Sequence, residues 1–118
     1  MNRIFYFGRL EINREPSKRV KQFIENLAEW DLRDNVELFH TSPSRKDIPD
    51  RELRDMIDSV FAPEGLILNG TIFWESSRDD RGKIVVRGNE VTVYVAEVIY
   101  KDCHGRTESE TERQACAG

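Results

Sequence analysis

The chain predicts an α+β fold, a two-layer sandwich in which a mainly antiparallel sheet carries two helices on one face in the order β-α-β-α-β-β-β. Three observations point there. Two segments repeat apolar residues at helical spacing, five others alternate with period two, and 118 residues leave room for one core only. A ferredoxin-like arrangement with an extended C-terminal hairpin fits this order. A simple meander with helices packed across it is the alternative. Residues 1–100 are expected to form the single domain and 101–118 a polar, disordered tail.

Arg3 to Asn13 opens on a run of aromatic and aliphatic residues. Leu10 and Ile12 then alternate with Arg9 and Glu11, as in a half-exposed strand. Gly8 marks a bulge or a close approach by neighbouring backbone. Ser17 is placed to cap a helix reaching about Trp30, because Val20, Phe23, Ile24 and Leu27 share one helical face. Asp34-Asn35 reads as a turn and Val36 to Thr41 as a second strand. A proline-containing loop follows. Asp50 then stands where an N-cap belongs, and Leu53, Met56, Ile57, Val60 and Phe61 make an amphipathic stripe that Pro63 and Gly65 end.

The remainder of the domain reads as strand. Leu66, Leu68, Gly70, Ile72 and Trp74 alternate against Ile67, Asn69, Thr71, Phe73 and Glu75. A charged connection leads to Lys83–Arg87, a Gly88-Asn89 hairpin turn, and a last strand from Glu90 to Tyr100. Val91, Val93 and Val95 have one parity and Ala96, Val98 and Tyr100 the other, which predicts a bulge near Val95-Ala96. From Lys101 onward there is no Val, Ile, Leu, Met or aromatic residue. Such a segment buries too little apolar surface to offset an ordering cost of roughly 1–2 kcal/mol per residue.

Composition excludes several functions. Lys plus Arg number 18 against 22 Asp plus Glu, a net charge of −4, whereas a generic polyanion binder carries a basic excess. Nucleic acid is therefore disfavoured as a partner. No apolar run approaches the roughly 20 residues of a membrane span, and the opening residues do not resemble a signal peptide. Two cysteines cannot build a disulfide scaffold and suit a reducing cytoplasm.

The search for chemistry yields little. Cys103, His104 and Cys116 lack the paired spacing of a zinc site, so neither metal nor cofactor is expected. His40-Thr41-Ser42 has the form of one half of a two-histidine phosphoesterase site, but His104 supplies no second half. Phosphate-binding glycine loops are absent. Lys18, Arg19 and Lys21 oppose the dipole of the first helix, which suits either an anion pocket or a solvated face. Asp79-Asp80, flanked by Arg78 and Arg81, reads as a solubilising loop or, with Trp74 and Glu75, as a protein-recognition element, since Trp and Arg dominate interface energetics. The parity of Trp74 also matches the core residues Leu68 and Ile72.

Leu68-Asn69-Gly70, Trp74, Asp79 or Asp80 with Gly82, Ile84-Val85-Val86 and Asn89-x-Val91 resemble the C-terminal half of small uncharacterised proteins of phages and other mobile elements. The resemblance spans Gly65 to Tyr100 and consists mostly of strand and turn chemistry. It implies a setting, a small accessory protein encoded by a phage or an integrated element, and proteins of this size and charge in that setting are often inhibitors that bind a host protein, anti-CRISPR and other anti-defence factors among them. The leading expectation is thus a non-enzymatic module that binds a host or phage protein through Trp74, Glu75, Arg78, Asp79, Asp80 and Arg81. A homodimer joined through a sheet edge, and a ferredoxin-like domain binding an anionic ligand or RNA through Arg3, Arg9, Lys18, Arg19 and Lys21, with Tyr6, Phe5 or Phe7 to stack RNA bases, are the alternatives.

Overall fold

The computed structural model describes residues 3–44, 47–96, 99–101 and 107–109. Six strands form one antiparallel sheet: β1 (Ile4–Ile12), β2 (Trp30–Arg33), β3 (Glu37–His40), β4 (Leu68–Ser76), β5 (Arg81–Arg87) and β6 (Glu90–Val95), in the spatial order β2-β3-β1-β4-β5-β6. Helices α1 (Lys18–Glu25) and α2 (Asp50–Met56) complete an α+β fold. The ferredoxin-like order is not the one found. β1 is central but pairs antiparallel with both neighbours, and the three C-terminal strands extend one flank as a meander.

The period-two pattern decides what is covered. Along β1, Ile4, Tyr6, Leu10 and Ile12 are buried while Phe5, Phe7, Arg9 and Glu11 are exposed. On β4, Leu68, Ile72 and Trp74 are buried, and on β5 Ile84 and Val86. These residues join Val20 and Ile24 of α1 and Leu53 and Met56 of α2 in one core. At the expected close approach, Gly8 has φ 93°, and a Cβ there would lie 2.6 Å from the carbonyl oxygen of Thr71. Only glycine lets β1 and β4 approach so closely.

Several elements depart from their expected bounds. Ser17 does cap α1, its hydroxyl accepting from the Val20 N–H at 3.4 Å, but the helix ends at Glu25 rather than near Trp30. Trp30 instead starts β2, pairs with His40, and donates its indole N–H to Glu52 Oε1 at 2.7 Å. Pro49, not Asp50, occupies the N-cap position of α2, and the Asp50 carboxylate pairs with Arg54 one turn on, at 2.8 Å. Beyond Met56 the helix widens into a π turn (Ile57–Phe61) and tightens into a 3-10 turn (Ala62–Glu64), which still buries Ile57 and Phe61. The expected last strand stops at Val95. Ile99–Lys101 pairs antiparallel with Thr107–Ser109 in a separate two-stranded sheet, which departs from a disordered tail beginning at Lys101. The rest of that tail, with Cys103, His104 and Cys116, lies outside the described residues.

Candidate functional site

The sheet face opposite the helices has no covering layer among the described elements. Because β1, β4, β5 and β6 run in register, Phe7 lies beside Phe73, Phe73 beside Lys83, and Lys83 beside Tyr94. This row crosses four strands. Its rings are unusually open for aromatic residues, with Phe7 54%, Phe73 52% and Tyr94 47% exposed. The Lys83 ammonium sits 5.3 Å from the centre of the Tyr94 ring, within cation–π range. In the adjacent row Phe5 lies beside Glu75 and Glu75 beside Arg81. Phe7, Phe73, Glu75, Arg81, Lys83 and Tyr94 border an open groove of about 370 Å³ that ends at Val95 and Ala96.

The residues expected to bind fall into three groups. Glu75 and Arg81 do line the groove. Arg78, Asp79 and Asp80 form the exposed turn at its end, where Ser76 N–H donates to the Asp80 carbonyl at 2.7 Å and Asp79 takes φ 69°. Arg3 and Ser77 tie this turn to β1 through two hydrogen bonds, at 2.8 and 3.0 Å. Trp74 corrects the expectation. At 5% exposure its indole packs on the helix side of the sheet, so it supports the groove floor and offers no ring to a partner. The aromatic contribution comes from the opposite parity, Phe73 and Phe7. Phe7 and Phe5 had a signal in the sequence, as aromatics on a strand, while Phe73, Lys83 and Tyr94 become a set only once register is known.

The other candidates are occupied within the fold. Glu64 fills the anion position at the start of α1. Its Oε1 accepts from the Ser17 hydroxyl at 2.7 Å, its Oε2 lies 3.5 Å from Arg19, and its carbonyl accepts from Arg14 at 2.6 Å. Lys21 pairs with Glu15 at 2.8 Å. His40 is buried against the rings of Tyr6 and Trp30, with centroids 4.3 and 4.8 Å away. Its Nδ1 lies 2.9 Å from the Thr41 carbonyl and its Nε2 3.6 Å from Glu29, so it stitches strands together beneath the surface. Ser42 accepts from the Tyr6 N–H at 2.9 Å. The Tyr6 ring is buried with Ile4, Leu10 and Ile12 on the covered face and cannot serve as an exposed stacking ring. Burial, followed by the nearby carboxylates of Glu29 and Asp47, raises its phenol well above the ordinary tyrosine range.

No group of three or more His, Cys, Asp or Glu side chains that could hold a metal occurs among the described residues. No helix among them is long and apolar enough to cross a membrane. No family model, curated protein or solved structure matches the chain.

Proposed function

We propose that the chain is a non-enzymatic protein-binding module that engages its partner through the open sheet face, with Phe7, Phe73 and Tyr94 as anchors and Glu75 and Arg81 at the rim. The observation carrying this reading is the row itself: three half-exposed rings from three strands, aligned by register on an uncovered face. Aromatic and Arg side chains beside apolar ground are what concentrates binding energy at interfaces. The resemblance of residues 65–100 to phage and mobile-element accessory proteins supports one form of this module, an inhibitor of a host defence protein acting in the cytoplasm. The exposed Arg78-Asp79-Asp80 turn would then contact the partner from the end of the groove.

The test is capture of a partner from host lysate by the tagged chain, identification of that partner, and reconstitution with purified components. Phe73→Ser leaves the thermal midpoint within a few degrees of wild type, because the ring is half in solvent, and abolishes the reconstituted complex. Undiminished binding by Phe73→Ser and Phe7→Ser would sink the reading.

One observation favours a second reading. Phe7 and Phe73 lie side by side next to Lys83, and bases of single-stranded RNA stack on such rings with an ammonium near the backbone. Against it stand the net charge of −4 and the engagement of Arg9 by Glu37 and Glu11. Fluorescence anisotropy with a labelled oligouridine at low salt tests it, and no change would close it.

A further inference from the structure

We propose that the partner engages this module as an added strand: an extended segment, apolar on one face and acidic on the other, pairs with the free edge of β6. The inference rests on the partner being a protein, and it names the chemistry of the segment that binds.

The two-residue turn at Gly88-Asn89 sets Arg87 opposite Glu90, and Ala96 N–H donates to the Arg81 carbonyl at 2.8 Å. Residues of that parity (Glu90, Thr92, Tyr94 and Ala96) therefore spend their backbone groups on β5. Val91, Val93 and Val95 have the opposite parity and point theirs away from the sheet. Arg54 Nη2 donates to the outward carbonyl of Val91 at 3.2 Å, which confirms the parity and closes that end of the edge. Val93 and Val95 have no outward backbone partner among the described residues, and no described strand lies beyond β6. Native sheets usually blunt such an edge with a Lys, a Pro or a covering element. Here Arg54 blunts one end and leaves the end beside the groove available.

The side chains along that end specify the occupant. On the helix side Val95 is 69% exposed, so an arriving strand gains by placing apolar residues there. On the open face two cations face the edge. The Lys83 ammonium already leans over the Tyr94 ring of the edge strand, and Arg81 is separated from the edge only by the small Ala96. Neither makes an ion pair among the described residues. With an aromatic or aliphatic residue of the added strand level with Tyr94, the carboxylates on the two neighbouring open-face positions fall level with Ala96, in the row of Arg81, and with Thr92, diagonal to Lys83, so that both charges are answered. Strand addition of this kind takes affinity from main-chain hydrogen bonds and specificity from alternate side chains.

The test uses the full chain, 15N-labelled, titrated with the capped peptide Val-Glu-Val-Phe-Val-Glu-Val. Expected are shifts and slowed exchange at the Val93 and Val95 amides, and binding about tenfold tighter than for the same peptide with Lys in place of Glu. Exchanging Arg81 and Lys83 for Glu reverses that preference. Val95→Pro removes an outward N–H that β5 does not use, and abolishes binding. N-methylation of the peptide amides that face β6 must do the same, which removes any doubt about the folding of the proline variant. Several results would overturn the proposal: no response at Val93 and Val95 up to ~1 mM peptide, equal binding of both peptides, tighter binding of an oligouridine at the same amides, or a two-chain mass in which those amides are already protected. Partner capture lost with Phe73→Ser but kept with Val95→Pro would refute the added strand and leave the open-face reading standing. Capture kept with both would refute the two together.

Discussion

Gly82 is where the floor of the groove and its edge strand meet, and replacing it by alanine tests the packing on which the site depends. A Cβ on Gly82 would point to the covered face, 2.6 Å from Cζ2 and 2.7 Å from Cε2 of Trp74, and would strike the Tyr94 carbonyl. Ordinary carbon–carbon contact is about 3.5–4.0 Å, so the indole must retreat by about 1 Å within a core that packs at crystal density. Forcing an extra methyl into such a site costs about 1–3 kcal/mol. We expect the upper half of that range, because one obstacle is backbone and cannot rotate away. For a domain of this size, 2 kcal/mol lowers the thermal midpoint by about 8–16 °C. The assay is urea unfolding of wild type, Gly82→Ala, Trp74→Phe and the double variant. The Phe ring lacks the atoms nearest the new methyl, so the double variant should recover about 1 kcal/mol relative to additivity, the remainder being the Tyr94 carbonyl. A Gly82→Ala cost below ~0.5 kcal/mol, or strict additivity with Trp74→Phe, would refute the packing argument.

Three further outcomes follow from buried polar groups. The Tyr6 hydroxyl is buried with no partner among the described residues, so Tyr6→Phe should raise stability by about 1 kcal/mol at neutral pH in chemical unfolding. The folded state raises the Tyr6 pKa and so binds this proton more tightly than the unfolded chain does. That stability is fully present below pH ~10 and falls by up to about 1.4 kcal/mol per unit above it, a decline that Tyr6→Phe should remove. Glu52→Leu orphans the Trp30 indole and should cost about 1–3 kcal/mol, whereas Glu52→Gln retains an acceptor and should cost less than half as much; equal losses would mean the 2.7 Å bond is not what matters. Asn89 accepts from Leu68 N–H at 2.7 Å and donates to the Leu66 carbonyl at 2.9 Å, so stability should fall from wild type to Asn89→Asp to Asn89→Gly, the last by about 1–3 kcal/mol. A Gly variant as stable as wild type would reduce Asn89 to a turn former.

Periodicity made most of the elements legible. The stripe from Leu53 to Phe61 and the alternations in β1 and β4 each reflect one covered side, which the chain records locally. Trp30 shows where local reading stops. It stands close to the apolar face of α1, and only its pairing with His40 and its hydrogen bond to Glu52 decide that it begins a strand. Strand order was illegible for the same reason, since period-two patterns fix faces but not neighbours. The site inherited that gap. Trp74 and Phe73 are adjacent in sequence, and which of them meets solvent depends on which side the helices cover. Glu75 and Arg81 line the groove, and their exposure was legible because charged residues at a strand end face water under either arrangement.

The open aromatic row has a structural explanation that must be weighed against a binding one. Cross-strand aromatic pairs stabilise sheets by about 0.2–1 kcal/mol and a surface cation–π pair by about 0.5–1 kcal/mol, so Phe7–Phe73 and Lys83–Tyr94 repay part of their exposure. That account would apply equally to the whole face, yet the face is not uniform. On the β2–β3–β1 side it is stitched by charge: Arg33 bonds Asp31 at 3.1 Å and covers the Phe39 ring at 4.2 Å, and Arg9 pairs with Glu37. On the β4–β5–β6 side the same backbone geometry carries half-exposed rings, where Lys83 reaches the Tyr94 ring and neither it nor Arg81 makes an ion pair among the described residues. Exposed cations without ion pairs are ordinary on a sheet, and what suits these two to an acidic partner is their position beside an open apolar groove. The proposed binding at β6 uses this asymmetry, because the backbone groups of Val93 and Val95 on that edge point away from the rest of the sheet.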